Sequence, residues 1–311
     1  MRVAVVDIGT NSTRLLIADV APEGALTQRH RESIVTRLGE RVDATGRLAE
    51  EAMQRVFETL ERFRTLIDEH AVEQTTAVLT SAVRDADNGS EFAAQVTQRT
   101  GIEARTIGGD EEAALTFAGT TSERAHDGEE IVVVDIGGGS TEFIVGRDGE
   151  VEFHTSTQAG VVRQTERHLH DDPPPPDGLQ ALADEVAVII AEAIPPELRD
   201  RVRTAIAVAG TATSSASIEL ALDPYDPERV HGHVLELATL ELTLARLAQM
   251  TDEQRRDVTG LQPDRAPTIV AGVAMLIEVL RAFGLERVEV SEHDILRGAA
   301  LRLAAQSRTG G

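Results

Sequence analysis

One short segment occurs twice in this chain, a domain's length apart. Val5-Val6-Asp7-Ile8-Gly9-Thr10-Asn11-Ser12-Thr13 lines up with Val133-Val134-Asp135-Ile136-Gly137-Gly138-Gly139-Ser140-Thr141, and only the two positions after the first glycine differ. Apolar residues continue beyond both copies, Leu15-Leu16-Ile17 after the first and Phe143-Ile144-Val145 after the second. Each copy reads as strand, tight polar turn, strand, which is a hairpin. Solenoid repeats recur roughly every 20–50 residues, so this wider spacing means duplicated domains.

The 311 residues suffice for two domains of ordinary size. Met53, Val56, Phe57, Leu60, Phe63 and Ile67 recur at helical spacing, and Thr76 to Thr80 read as a buried strand. Ser90 is expected to cap a helix through Phe92 and Val96 that Gly101 closes. A further helix is expected to start near Asp110. In the second half, Asp171-Asp172 and Pro173 to Pro176 read as an exposed loop, because proline fits neither a helix interior nor a central strand. A helix through Leu182, Val186 and Ile189 should end before Pro195-Pro196, and a strand from Ala205 to Val208 should stop at Gly210-Thr211. Helices are expected around Leu237 to Leu247 and Ile269 to Leu280, a capping box at Thr251 and Gln254, a strand at Val288 to Val290, and a last helix. Strands alternating with helices define an α/β fold. The expected division is an N-terminal lobe of residues 1–125 and a C-terminal lobe of residues 126–311, with the final helix, 294–307, free to pack back on the first.

Composition narrows the chemistry. Cysteine is absent, which rules out disulfides, thiolate catalysis and cysteine-ligated zinc. All 30 basic residues are arginine. A P-loop lysine and a Schiff-base lysine are therefore excluded. Genomic base composition or a salt-adapted surface would each produce that bias. The net charge of −23 argues against nucleic-acid binding, which needs a basic face. A polyanionic substrate would require a locally positive cleft or a divalent cation. No apolar run reaches the roughly 18 residues of a membrane helix, so no membrane partner is expected. The start, Val3 to Val6, lacks a signal-peptide pattern, which points to the cytoplasm.

Five constellations can carry chemistry. In Asp7 to Ser12, a glycine turn lets backbone N–H groups approach an anion, and Thr10, Asn11 and Ser12 add side-chain donors. In Asp135 to Glu142, consecutive glycines clear the turn of side chains, and the flanking carboxylates Asp135 and Glu142 can hold Mg²⁺. Asp7 joins them as a candidate metal carboxylate. Where the first copy has Arg14 the second has Glu142, so the two turns are not equivalent. Asp110, Glu111 and Glu112 stand at a helix start, where they either complement the dipole or supply a general base. Arg84, at a strand's exit, suits either a phosphate clamp or a surface ion pair with Asp85 or Asp87. Gly210-Thr211 can bind phosphate or ribose, or can be a tight connection with a threonine cap. The histidines His168 and His170 with Asp171, and His231 with His233, read as loop or interface residues rather than metal ligands.

Together these residues resemble the exopolyphosphatase/guanosine pentaphosphate phosphohydrolase (Ppx/GppA) family. The resemblance spans essentially the whole chain, in the family's order: Asp7 to Ser12, Arg84-x-Ala86-x-Asn88, Gly109 to Ala113, Asp135 to Glu142, Gly210-Thr211, Asp264-Arg265-Ala266 with Ala271-Gly272, and Leu296-Arg297-Gly298. It implies two duplicated ribonuclease H-like domains of the actin, sugar kinase and Hsp70 superfold, with an interdomain cleft. It implies Glu112 as catalytic base and Asp135 and Glu142 as carboxylates for Mg²⁺ (or Mn²⁺) and catalysis. Asn11, Ser12, Arg84, Gly138, Gly139, Ser140 and Thr141 match positions lining the phosphate path, with Thr211 and Arg265 near the cleft. The implied reaction is Mg²⁺-dependent hydrolysis of the terminal phosphoanhydride of polyphosphate by a cytoplasmic homodimer. Hydrolysis of pppGpp to ppGpp, phosphate transfer to a nucleotide, and an actin-type sensor or filament are the alternatives. Long family members continue into a further helical domain, so this shorter chain is expected to suit short polyphosphates. The family's Gly-Thr turn often continues with lysine, where this chain has Ala212-Thr213.

Overall fold

The repeat folds twice into the hairpin its sequence predicts, and each hairpin opens a sheet. The computed structural model describes residues 1–125 and 127–309. These form two units, one of residues 1–122 with the chain from Ile295 onward, the other of Glu123–Asp294. The junction thus falls at 122/123 against the expected 125/126, and the chain from Ile295 onward joins the first unit, the option left open for the final helix.

In the first unit, β1 (Arg2–Ile8), β2 (Ser12–Val20) and β3 (Leu26–Val35) form an antiparallel meander. Strand β4 (Gln74–Leu79) lies parallel to β1, and β5 (Ala104–Thr106) lies parallel to β4. The order is β3-β2-β1-β4-β5. Side chains alternate across the pleat, and both faces of this sheet are covered. Ala4, Val6 and Ile8, with Leu15 and Ile17, pack on the helix Glu50–Glu69 through Val56, Phe57, Leu60 and Phe63. Val3, Val5, Leu16 and Ala18 face the other way and are covered by Leu296, Ala299 and Ala300 of the C-terminal helix Ile295–Thr309. Burial on both faces explains why β1 reads as an uninterrupted apolar run.

In the second unit, β6 (Ile131–Ile136), β7 (Thr141–Arg147) and β8 (Glu150–Thr157) form the same meander. Strand β9 (Thr204–Val208) is parallel to β6. Strand β10 (Val234–Glu236) is antiparallel to β11 (Arg287–Val290), which is parallel to β9. The order is β10-β11-β9-β6-β7-β8. Apart from the extra edge strand β10, this repeats the first unit's ribonuclease H-like order. The helix Ile269–Phe283 is apolar on nearly every face and sits in this unit's core.

Two local expectations change. Ser90 does not cap the helix Gly89–Thr100; Asn88 holds the N-cap position, and its side chain bonds instead to both backbone groups of Leu48. The proline run is not wholly an exposed loop. Pro174 is buried, and Pro176 is the first residue of the helix Pro176–Ala193, a position that needs no N–H donor. The capping box at Thr251 and Gln254 is present.

Candidate functional site

Strands β1, β4 and β5 run parallel, so their C-terminal ends lie together. In open α/β sheets such ends are where ligands bind. Asp7 is the last residue but one of β1, Arg84 lies in the short helix Ser81–Asp85 after β4, and Glu112 lies in the first turn of the helix Gly109–Thr121 after β5. Arg84 Nη1 donates to Glu112 Oε2 at 2.9 Å and to the Ile107 carbonyl at 3.1 Å. Its distance to Asp85 is 3.9 Å, so the main ion pair is with Glu112 and not on the surface.

The three carboxylates at that helix start have different surroundings. Asp110 is exposed. Glu111 bonds to Arg105 and Arg302, and these partners hold its carboxyl below the usual range. Glu112 is buried, and burial pushes its carboxyl up; Arg84 and Arg14 pull it down, and Asp7 pushes it further up. A buried carboxylate with a raised pKa and an arginine partner has the properties of a general base. Asp7 is 2% exposed, and Arg14 donates to its Oδ2 from Nε at 2.7 Å.

The second unit repeats the plan with different charges. Asp135 on β6 pairs in register with Glu142 on β7, as Asp7 pairs with Arg14. Residues directly opposite on antiparallel strands share a face, with Cβ atoms roughly 4.5–5.5 Å apart, and like charges there repel. Glu142 is buried and accepts from Ser156 Oγ at 2.7 Å. Two carboxylates so placed, with oxygen donors only, suit a hard divalent cation.

Both turns are tied from behind. Gly9 N–H donates to the Ser12 carbonyl and Gly137 N–H to the Ser140 carbonyl, each at 3.0 Å. In the first copy, Thr36 and Arg37 N–H bond to the Asn11 carbonyl, and Gly39 N–H to the Thr10 carbonyl. In the second, Val161 and Val162 N–H bond to the Gly137 and Gly138 carbonyls, each at 2.9 Å. The carbonyls are thereby engaged on one side. Among the described residues, the Gly138 and Gly139 N–H groups have no backbone acceptor, although both glycines are buried. Buried donors of this kind make an anion-binding turn. Gly160 permits the arrangement: a Cβ there would lie 2.3 Å from the Gly138 carbonyl oxygen. The repeated motif does not reach this second layer. Its one trace in the sequence is a lone glycine following the third strand in each unit, Gly39 and Gly160.

The remaining expected residues separate in kind. Thr141 donates its hydroxyl to the Ala159 carbonyl at 2.6 Å, so this proton is engaged internally. Thr211 is buried in the first turn of the helix Ala209–Glu219, at the C-terminal end of β9. The Arg265 guanidinium lies directly against Gly210, where a Cβ would come within 1.6 Å of Nη1. Arginine and a helix N-terminus therefore meet there, an anion-competent pair. His168 pairs with Glu185 at 2.7 Å, and His233 with Glu219 at 3.3 Å.

The Ppx/GppA phosphatase family model matches residues 16–305. Exopolyphosphatase 2 of Mycobacterium tuberculosis is 40% identical, over 97% of this chain and 98% of the relative. The crystal structure of the Ppx/GppA family member of Aquifex aeolicus is 30% identical with a TM-score of 0.82, covering 99% of this chain and 98% of that one. An exopolyphosphatase from Cytophaga hutchinsonii is 27% identical with a TM-score of 0.87, covering 98% of each chain.

Proposed function

Since the chain belongs to the Ppx/GppA phosphatase family, we propose that it is an exopolyphosphatase, a hydrolase that cleaves the terminal phosphoanhydride of inorganic polyphosphate, short chains above all, and releases orthophosphate. Support comes from relatives that bear the exopolyphosphatase name. The observation that carries the reading is Glu112, buried and held by Arg84 beside the ends of parallel strands.

Glu112 acts as general base. Its carboxylate takes a proton from water, the water oxygen bonds to the terminal phosphorus, and the bond to the bridging oxygen breaks, leaving its electrons on the shortened chain. Arg84 orients Glu112 through one Nη1 N–H, gives the other to the Ile107 carbonyl, and offers Nη2 to phosphoryl oxygens. Asn11 and Ser12 in one turn, and the Gly138 and Gly139 N–H groups with Ser140 and Thr141 in the other, bind phosphate; Thr211 and Arg265 add an anion contact. Thr141 contributes through its backbone, because its hydroxyl serves Ala159.

Asp135 and Glu142 would hold Mg²⁺, or Mn²⁺, which the same oxygen donors accept. Bound there, the ion supplies positive charge to the phosphoryl oxygens. Asp7 is assigned to Arg14 rather than to the metal, given their close pair. A cytoplasmic location is part of the proposal; the family resemblance supports a homodimer, and the net charge of −23 supports the exclusion of nucleic acid. No described helix is long and apolar enough to cross a membrane.

Phosphate release from short polyphosphate and from pppGpp, with and without Mg²⁺, tests this reading. Polyphosphate turnover in Mg²⁺ is expected, falling about 10²–10⁴-fold in Glu112→Gln. Full activity of that variant, or turnover of pppGpp alone, overturns it.

A further inference from the structure

Among the described residues outside those assigned so far, one group of side chains has the donor set of a different metal. Glu123, His231 and His293 each direct a ligand atom to a common point, all within 4.8 Å of one another. The two imidazole rings lie 4.1 Å apart between centroids. The sequence alone reads His231 and His233 as loop or interface residues; in the structure His233 turns to Glu219 and leaves His231 beside His293.

The backbones of both histidines are anchored. His231 ends the short helix Pro227–Val230, and its N–H bonds to the Pro227 carbonyl; the next residue, Gly232, bonds to Val290 on β11. His293 is fixed by Ser291, whose Oγ accepts from His293 N–H at 3.0 Å and donates to its carbonyl at 3.1 Å. Ser291 is 2% exposed and bonds through its own N–H to Ala207 on β9. Rigid support of this kind is what a metal site requires of its surroundings.

We infer that Glu123, His231 and His293 form a zinc site. Two imidazoles and one carboxylate are a common zinc donor set, with water completing a tetrahedron. Bonds of roughly 2.0–2.1 Å place tetrahedral ligand atoms about 3.3 Å apart, so small side-chain rotations close the observed cluster. Glu292 N–H now donates to His231 Nδ1 at 3.3 Å. An ion on Nε2 places the proton on Nδ1, so this long contact is given up. Imidazole donors separate the site from Asp135 and Glu142, whose oxygens suit harder ions. Glu123 opens the second unit, and His293 stands one residue before its end. One ion would therefore tie both chain crossings to the His231 turn and stabilise the folded state by mass action.

Zinc titration of the full chain, stripped with a chelator, tests the inference by calorimetry, with Co²⁺ absorption reporting ligand type. One zinc equivalent is expected, with Co²⁺ bands of a four-coordinate nitrogen and oxygen site and a raised Tm. His231→Ala and His293→Ala should each weaken binding at least tenfold, and the exposed Glu123→Gln should weaken it without threatening the fold. His233→Ala and Glu142→Gln should bind as the parent does. No zinc uptake by the parent, or parental affinity in Glu123→Gln and the folded histidine variants, overturns it, as does loss confined to Glu142→Gln.

Discussion

The hairpin β1–β2 and the hairpin β6–β7 have the same register and the same glycine-to-serine closure of the turn, yet the residue facing the aspartate gives them opposite electrostatics. Asp7 faces Arg14, and Asp135 faces Glu142. The first pair neutralises itself inside the protein, with Asp7 2% exposed. The second gathers negative charge at a cross-strand distance where it repels. The first hairpin is thereby complete without an ion, and the second is suited to one. Glu112, the proposed base, feels both Asp7 and Arg14 and so lies beside the neutral pair.

The strongest way to break this contrast is at the base itself. Glu112→Gln should lower kcat by about 10²–10⁴-fold with no loss of Tm, because it replaces a buried carboxyl by a neutral isostere. Survival of activity would move the base elsewhere. Next, Glu142→Arg makes the second hairpin a copy of the first. It should abolish Mg²⁺ activation, roughly a hundredfold or more in rate, while urea melting shows no loss of stability. A variant still activated by Mg²⁺ would remove the metal from this hairpin. The reverse test is Arg14→Ala, which leaves the Asp7 carboxylate buried without its arginine and should cost about 3 kcal/mol in urea unfolding. Gly160→Ala drives a methyl into the backbone of the second turn alone and should cost about 1–3 kcal/mol while weakening phosphate-chain binding, read as a rise in KM.

The smallest expected effect is a displacement in pH. Burial raises the Glu112 pKa, so the acid limb of kcat/KM should lie above the ordinary carboxylate value of 4.5. Arg84 lowers it, so Arg84→Gln should move that limb to higher pH, besides weakening substrate binding. The stability sign follows from the same shift. The fold favours the protonated form, so this group's contribution is fully present below its unfolded pKa and is lost as pH rises through the folded one. A limb at the ordinary value, unmoved by Arg84→Gln, would detach the base from its arginine.

The strands and helices that bury a continuous apolar pattern are legible in the sequence. Val3 to Val6, Ala205 to Val208 and the run from Ile269 to Leu280 each lie where periodicity puts them. Strands β3, β8 and β10 are not legible there. Leu26–Val35 and Glu150–Thr157 are rich in charged and polar residues, and Val234–Glu236 is only three residues long. All three are sheet edges, where one side faces no neighbour and polar residues guard against pairing with another chain. Ser90 has the right chemistry for a cap, but a cap is decided by which neighbouring side chain is already engaged, and here Asn88 is drawn to Leu48 across forty residues of chain.

The duplication, its turn and the exchange of Arg14 for Glu142 are properties of the sequence alone, because hairpin register is local and a two-residue periodicity carries it. The same holds for the absence of lysine and cysteine, which limits the chemistry to oxygen, imidazole and guanidinium groups. Tertiary structure decided which of three adjacent carboxylates is buried, because Arg105 and Arg302 reach Glu111 from other elements while Arg84 reaches Glu112. It also brought His293 to His231, 62 positions apart in the chain, and carried the last helix back onto the first sheet. Such pairings depend on how distant segments pack, and no local pattern in the chain encodes them.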